Sequence, residues 1–516
     1  MTLLRRGRGV EHEYVLNTDP QLALDQNVER RRLIATAIEG LKQVGFLFPN
    51  VSWAPKGEDG NFEYESSIYN LWPFKTRPPS VGKNGMRIYD DALHLEISTP
   101  VYSTSFEAVV YGKVSECLAF LASQEAKKST GHPVYSYTSN ISLRKSNSSI
   151  FEAVACGTHG NIMISRRTFN TSKLKEAERA LFPYLVTRIV LFGSGGYVPY
   201  MVDENGQKII GVSSRDSAEA HGSTLVGKDI CFVISPRSHF VNCKMSEDTT
   251  VKRGLFNLRD EPHASRDEYW RFHDINWEGV RSDVQIYMRD LLHTFVIAAF
   301  EKGYLKDGPI LRDPLGDLRR LSMDMGLDWK VKLIDGGMVD AVDDILIGYY
   351  LKKIEEMLEG EKASNEDWAA LELLSAFLSE VAERDLGRLV YCLDWVTKLS
   401  LIQACDNEKE GLAVCNQFCL IDDSILSYMG NNDSLQGDSL FEPNESMSKI
   451  AEWVSEATPQ SIRHAVREGC SKPPSSTREA KRVQVLMEKS NESLKANWAF
   501  VVGEDESEKN FPDPLG

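Results

Sequence analysis

The chain has 516 residues, 42% hydrophobic and 26% charged, the balance of a globular protein rather than a disordered, fibrous or membrane-spanning one. Acidic residues outnumber basic ones 75 to 59, for a net charge of −16, which excludes a general nucleic-acid binder because phosphate binding needs a basic footprint. The length accommodates about three domains, or one large enzyme core with a small companion.

In chain order, Gly9–Val15 reads as a short strand and Asp25–Val44 as a helix carrying the basic cluster Arg30-Arg31-Arg32, a solvated face. Asn50–Ser80 is rich in Pro, Gly, Asn and aromatics and reads as a long irregular loop. Met86–Ser98 reads as one strand, Glu107–Ser123 as a helix, and Tyr135–Leu143 and Gly157–Arg166 as strands. Lys173–Phe192 reads as a helix ended by Gly193-Ser194-Gly195-Gly196, and Ile209–Ser214 and Leu255–Arg259 as further strands. From Asp283 on, Val284, Tyr287, Met288, Leu291, Leu292, Phe295 and Val296 follow helical spacing, and Val339–Leu358 and Asn365–Ala404 continue as helices. Asn431–Glu445 reads as a linker, followed by helices Ser446–Glu468 and Ser475–Ser493, a strand Trp498–Val502 and a solvated acidic end. The outline is α+β.

Nine scattered cysteines read as reduced thiols of a cytoplasmic protein; Cys415 and Cys419, the closest pair, lack the further ligands of a zinc site. The arginine-bearing start leads into no apolar stretch and does not read as a secretory leader, and Tyr184–Phe192 and Leu291–Phe300 are too short to span a bilayer.

Four segments carry candidate chemistry. In Gly9-Val10-Glu11-His12-Glu13-Tyr14, residues two apart share a strand face, so Glu11 and Glu13 present two carboxylates to one side. His94, Glu96 and Ser98 form a second polar face opposite Leu93, Leu95 and Ile97, with Asp91 just before them. His159 and Asn161 share a third, and Arg259 and Glu261 a fourth. Each alone reads more simply as a wet strand face or a salt-bridged strand end. Together they make a sheet surface rich in carboxylates, costly unless it binds cations. Nucleoside triphosphate with Mg²⁺ suits such a surface: glutamates hold the metal and arginines neutralise phosphate. There is no P-loop, dinucleotide fingerprint or nucleophile elbow.

These motifs resemble the Pup ligase and depupylase (deamidase of Pup) family of glutamine-synthetase-like carboxylate–amine ligases. Gly9–Tyr14 resembles the family's G-[IV]-E-x-E-[FY], and Arg87–Glu96 its R-L-Y-x-D-x-x-H-P-E, with Ile88 for Leu and Leu95 for Pro. The Asp91-to-His94 spacing and the long preceding insert are more similar to the deamidase. Lys252–Ala264 resembles the segment holding N-T-R-D-E-P-H-A-D, continued by Tyr269, Arg271 and His273, and Pro473–Arg478 resembles the C-terminal P-P-x-T-T-R-A. Weaker echoes are Ala341-Val342-Asp343 with Tyr349-Tyr350, and Leu393–Lys398. The family's K-N-N-x-D has become Thr138-Ser139-Asn140-Ile141-Ser142, its H-E-N has become His159-Gly160-Asn161, and its G-D-x-N-x-x-E-T has become Trp277–Val284.

The resemblance implies a large α+β catalytic domain, residues 1–430, with a curved, mostly antiparallel sheet backed by helices, and a small C-terminal domain, residues 445–516, completing the nucleotide site. It implies ATP and Mg²⁺ as cofactors, Glu11, Glu13, Glu96, Glu261 and His159 toward metal, Arg215, Arg259 and Arg478 toward phosphate, and Asp91 as catalytic base. The implied activity is ligation of a glutamate side chain of a small acidic Pup-like modifier to a lysine of a target protein. Two alternatives stand beside it: an amidase or isopeptidase using the same site, and a catalytically silent nucleotide-binding regulator. Neither nucleic acid nor membrane is an implied partner.

Overall fold

The strand Arg8–Thr18 (β1) alternates buried and half-exposed residues from Arg8 to Tyr14, so Val10, His12 and Tyr14 point into the protein while Glu11 and Glu13 face a cleft. The computed structural model describes residues 2–18, 27–53, 79–91, 93–137, 141–146, 150–213, 224–421, 459–505 and 507–516. In chain order β1 is followed by helix α1 (Asn27–Gln43), strands β2 (Ser80–Val81), β3 (Arg87–Asp91) and β4 (His94–Ser98), and helix α2 (Ser105–Thr130). Then come β5 (Val134–Tyr137), β6 (Thr158–Ser165), β7 (Cys243–Ser246), β8 (Gly254–Asn257), β9 (Tyr269–Trp277) and helix α3 (Asp283–Lys302).

These nine strands form one sheet in the order β7-β8-β9-β6-β1-β4-β3-β2, with β5 pairing the far end of β1. Every pairing is antiparallel except β7 with β8. This is the α+β layout expected from the sequence. Behind the inner half of the sheet, Val10, Tyr14, Ile88, Leu95 and Ile97 pack on α1 and α2. A larger apolar cluster gathers α3 with Leu174–Thr187 and Asn365–Ala382.

Helix ends follow local chemistry. Thr104 and Glu107 form a reciprocal capping box on α2, whose end is Gly131 at φ 73°. Ser282 caps α3 by accepting from Gln285 N–H, and Gly303 ends it at φ 81°. Asp394 accepts from the Arg281 and Ser282 N–H groups at 2.8 and 3.0 Å, so the Leu393–Lys398 echo serves the scaffold.

A separate sheet joins chain regions far apart in sequence. Val51–Trp53 pairs in parallel with Leu494–Ala496, which continues to Phe500–Val502 and Glu508–Asn510. The helix Arg478–Glu488 packs beneath it, through Val483 and Leu486 against Trp53 and Trp498.

Several expected elements divide. Met86–Ser98 is a tight hairpin, β3 and β4, whose turn places Leu93 at φ 76°. Tyr135–Leu143 splits between β5 and Ile141–Ser146, in two different sheets. Lys173–Phe192 is a short 3₁₀ turn followed by Leu174–Thr187 and Ile189–Phe192. Val339–Leu358 begins with the strand Met338–Asp340; Asp340 then caps a π-helix, Ala341–Leu351, that passes into Lys352–Gly360. Asn365–Ala404 is three helices, broken after Ala382 and Leu389. The expected strand Leu255–Arg259 ends at Asn257, so Arg259 and Glu261 sit in a loop rather than on a strand face. Arg215, the Thr138–Asn140 segment and the expected linker Asn431–Glu445 lie outside the described residues.

Among the described residues no helix is long and apolar enough to cross a membrane.

Candidate active site

Register places the acidic groups side by side. Across β1 and β4, Glu13 faces Glu96 and Glu11 faces Ser98. Across β1 and β6, Glu11 faces His159, and across β6 and β9, Asn161 faces His273. The hairpin turn pairs Asp91 with His94 at the cleft rim. Two donor clusters result, Glu11–His159–His273 and Glu13–Asp91–Glu96, each with its donor atoms within 4.8 Å of one another.

Each group has defined partners. Arg271 is a buried hub: Nη1 donates to Asn161 Oδ1 at 2.9 Å and lies 3.3 Å from Glu11 Oε1, while Nη2 donates to Glu261 Oε2 at 3.2 Å. Arg237 Nη2 lies 3.0 Å from His159 Nε2. Arginine only donates, so His159 Nε2 accepts and its Nδ1–H points to Glu11 Oε2 at 3.3 Å. His159 therefore orients Glu11 in this arrangement. Gly157 N–H donates to Glu13 Oε2. A side chain at Gly157 would come within 2.8 Å of Glu13 Oε1 and 2.5 Å of His159 Nε2, so only glycine lets the backbone approach this closely. Tyr89 Oη donates to Glu96 Oε1, and Arg87 stacks on the Tyr89 and Trp53 rings at 4.1 and 4.6 Å.

The titration directions show what the cleft demands. Burial, then the charges of Asp91, Glu11 and Glu13, pushes the Glu96 carboxyl well above its ordinary range. Asp91, exposed at the end of β3, is raised as well, by desolvation among its neighbours and by the Glu13 charge. Glu11 and Glu13 go the other way. Burial opposes their ionisation, but His159, His273 and Arg271 outweigh it at Glu11, and His94, His159 and Arg237 outweigh it at Glu13. His94 is lifted to about 9: burial opposes this, and Cys156, Glu13 and Asp91 prevail. Four carboxyl groups thus compete for too little positive charge, and a divalent cation would relieve the competition.

The donor set fits such an ion. Carboxylate oxygens suit hard cations. Burial, then the Arg271 charge, lowers His273 to about 3, so the ring is neutral, and its Nε2 lies 3.7 Å from Glu11 Oε2.

Beside the clusters lies a small cleft, half open to solvent. Its wall includes Gly9, Glu11, Arg271, Arg478 and Trp498, so the C-terminal segment closes one side. Arg478 is buried at the first turn of its helix, its Nε 3.6 Å from Glu479 Oε1 and its Nη1 donating to the Phe511 carbonyl at 3.1 Å. Arg259 is half exposed, 3.9 Å from Glu261. Of the site residues expected from sequence, Glu11, Glu13, Asp91, Glu96 and His159 come together, Glu261 joins through Arg271, and Arg478 lines the cleft. His94, His273 and Arg237 received no role from the sequence. For His273 the available signal was its step of two from Arg271 on a polar strand face.

A sheet face that collects four carboxyl groups, three histidines and a buried arginine beside a cleft is the candidate active site of an enzyme. The chain belongs to the Pup-ligase protein family, whose model matches residues 6–502. It is similar to the depupylase of Acidothermus cellulolyticus, 27% identical over 81% of this chain and 74% of that one. It is also similar to the Pup–protein ligase of Acidimicrobium ferrooxidans, 24% identical over 84% and 86%. With the Pup deamidase/depupylase of Mycolicibacterium smegmatis the match is 27%, over 62% of this chain and 57% of the relative, little more than half its length. The fold is that of the Pup ligase PafA solved in complex with Pup, TM-score 0.67 at 18% identity, covering 100% of this chain and 90% of that one.

Proposed function

We propose that this chain is an ATP- and Mg²⁺-dependent carboxylate–amine ligase that joins a glutamate side chain of a small acidic Pup-like protein to a lysine of a target protein in the cytoplasm. The observation that carries this reading is the pair of donor clusters on one sheet face, with Asp91 at the rim of the second. The family match and the ligase relatives support it. So does the PafA structure solved with ADP, which shares the fold at TM-score 0.63.

In this reading Glu11, Glu13 and Glu96 hold Mg²⁺, with His159 and Glu261 supporting Glu11 through its neighbours. Bound Mg²⁺ supplies positive charge to the triphosphate. Arg478, with Arg259 and Arg215, neutralises phosphate, and residues 445–516 complete the nucleotide site that residues 1–430 begin. Transfer of the γ-phosphoryl group to the substrate carboxylate would give it a good leaving group, phosphate, which departs as the amine bonds to the carbonyl carbon. Asp91 takes the proton from the incoming ammonium. Its raised pKa suits a base, because the proton it receives is held rather than released at once.

A second reading, cleavage of an amide or isopeptide by water at the same Asp91, is favoured by the short turn that pairs Asp91 directly with His94 and by the depupylase relatives. One experiment separates the two. Purified protein is incubated with Mg²⁺, ATP and a Pup ending in glutamate, or in glutamine, with a lysine-bearing protein, and intact masses are followed. The ligase reading expects a conjugate with matching loss of ATP. Deamidation or conjugate cleavage without matching ATP loss establishes the amidase. Nucleotide binding with neither outcome overturns both and leaves a silent regulator.

A further inference from the structure

The start of helix Arg478–Glu488 holds three buried charged groups, Arg478, Glu479 and Arg482, of which only Arg478 lines the cleft. Thr477 caps the helix, accepting from the Glu479 N–H at 3.4 Å, and its Oγ1–H donates to the Val101 carbonyl at 2.8 Å, so the turn is fixed beside the end of β4. Glu479 and Arg482 are three residues apart and meet on one helix face. Arg482 Nε and Nη2 both donate to Glu479 Oε2, at 2.8 and 2.6 Å. Nη2 also donates to the Gly85 carbonyl at 2.7 Å, and the guanidinium lies 5.3 Å from the centre of the Trp498 ring. The fit is close: a Cβ on Gly85 would come within 3.0 Å of Glu479 Oε2. Glu479 Oε1 faces Arg478 Nε at 3.6 Å, beyond hydrogen-bond reach.

We propose that Glu479 and Arg482 are positioning residues for Arg478: Arg482 occupies the one buried carboxylate, so that the charge of Arg478 stays available to a phosphate in the cleft. The proposal rests on the reading of Arg478 as a phosphate ligand. Two buried guanidinium groups share a single carboxylate, and among the described residues no other carboxylate lies within 4 Å of either. Both short bonds to that carboxylate go to Arg482. The uncompensated positive charge therefore falls to Arg478, at the cleft wall. A buried charge without a partner is costly, and an anion arriving in the cleft removes that cost.

The competing arrangement is close at hand. Without Arg482, Glu479 has only Arg478 to neutralise it, and the 3.6 Å contact needs little movement to become a direct salt bridge. Arg478 would then be drawn toward Glu479 and its charge cancelled before any phosphate arrives. Arg482 also carries a second duty. Its bond to the Gly85 carbonyl, two residues before β3, ties the C-terminal wall to the hairpin that bears Tyr89 and Asp91. The phosphate-facing arginine and the rim aspartate are thus held by one brace.

The test measures ATP binding to the full-length protein in Mg²⁺ by titration calorimetry at several salt concentrations. Arg482→Met should weaken binding roughly tenfold. Its affinity should also depend less steeply on salt than that of wild type, because one charge facing the phosphates has been cancelled. Glu479→Gln combined with Arg482→Met removes the competing carboxylate, and both affinity and salt dependence should return to within a few-fold of wild type. Should Arg482→Met fail to fold, Arg482→Lys, which keeps the charge but not the two bonds to Glu479, should show a smaller loss in the same direction. Arg478→Met is the control on the underlying reading: undiminished ATP binding in that variant removes Arg478 as a phosphate ligand and the proposal with it. If Arg478→Met weakens binding while the Arg482 variants bind as wild type does, the reading stands and the proposal falls. Equal loss in the single and double variants, or weakened binding with the wild-type salt dependence, also overturns it and leaves the pair a structural one.

Discussion

Glu13 and Glu96 stand directly opposite each other on neighbouring antiparallel strands. Like charges in that position destabilise a sheet, and among the described residues no lysine or arginine is inserted between the two carboxylates. The nearest titratable cation is His94, whose Nδ1 is 3.4 Å from Glu13 Oε2. A cation bound between the two would relieve this repulsion.

Replacing the carboxylates proposed to hold Mg²⁺ tests that directly. Glu11→Ala and Glu96→Ala should each weaken Mg²⁺-dependent nucleotide binding by roughly 10–100-fold, read by titration calorimetry with and without Mg²⁺. Wild-type affinity in both variants would remove these glutamates from the metal site.

Asp91→Asn keeps the shape of the side chain and removes its basicity. Turnover should fall by about 10²–10⁴-fold while nucleotide affinity stays within a few-fold of wild type. Unchanged turnover would exclude Asp91 as the base.

Gly160 occupies the position of the family's H-E-N glutamate, and the structure shows what fills the space. A Cβ on Gly160 would lie 2.5 Å from the Trp277 indole, which is itself held by an Nε1–H donation to Asp274 at 3.0 Å. Gly160→Ala should therefore cost about 1–3 kcal/mol through overpacking, read as a lower denaturation midpoint. Full stability would mean that Trp277 moves freely.

Two buried histidines remote from the carboxylate clusters set an acid limit. Burial, then Arg319, holds His239 at about 3, and burial does the same at His293, which packs among Tyr184, Phe272 and Trp277. Both are neutral in the folded and unfolded states above about pH 6.5. Below that the unfolded chain takes up protons that the folded chain refuses until about pH 3. Stability should thus fall as pH drops through this window, each group adding about 1.4 kcal/mol per pH unit once the unfolded form is protonated. The decline should be shallower in His293→Phe than in wild type when urea midpoints are compared from pH 7 to 5. Equal slopes would show that His293 titrates normally.

Period-two spacing alone placed Glu11 with Glu13 and His94 with Glu96, and both pairs share the cleft face. The hairpin between them was hidden because Leu93 takes the left-handed backbone of its turn, where Gly or Asn would have marked it. Without the turn, Asp91 looked like a residue ahead of a strand instead of the cross-strand partner of His94. His273 and Arg237 come from strands and loops far along the chain, and only pairing register and packing bring them to Glu11 and His159. The division of Asn365–Ala404 was also invisible, since helical spacing continues across Asp385 and Asp394, which cap new helices or pin their neighbours.

The parallel pairing of Val51–Trp53 with Leu494–Ala496 bears on how the protein is made. During synthesis the strand at Val51 leaves the ribosome with its hydrogen-bonding edge unmatched, and its neighbour, Leu494–Ala496, appears only much later in the chain. The carboxylate-bearing sheet up to β9 can assemble well before then, whereas the wall carrying Trp498 waits for that neighbour. Nascent chains stalled before Leu494 should consequently hold a formed carboxylate cluster beside an open-sided cleft, which closes only when these two distant segments join.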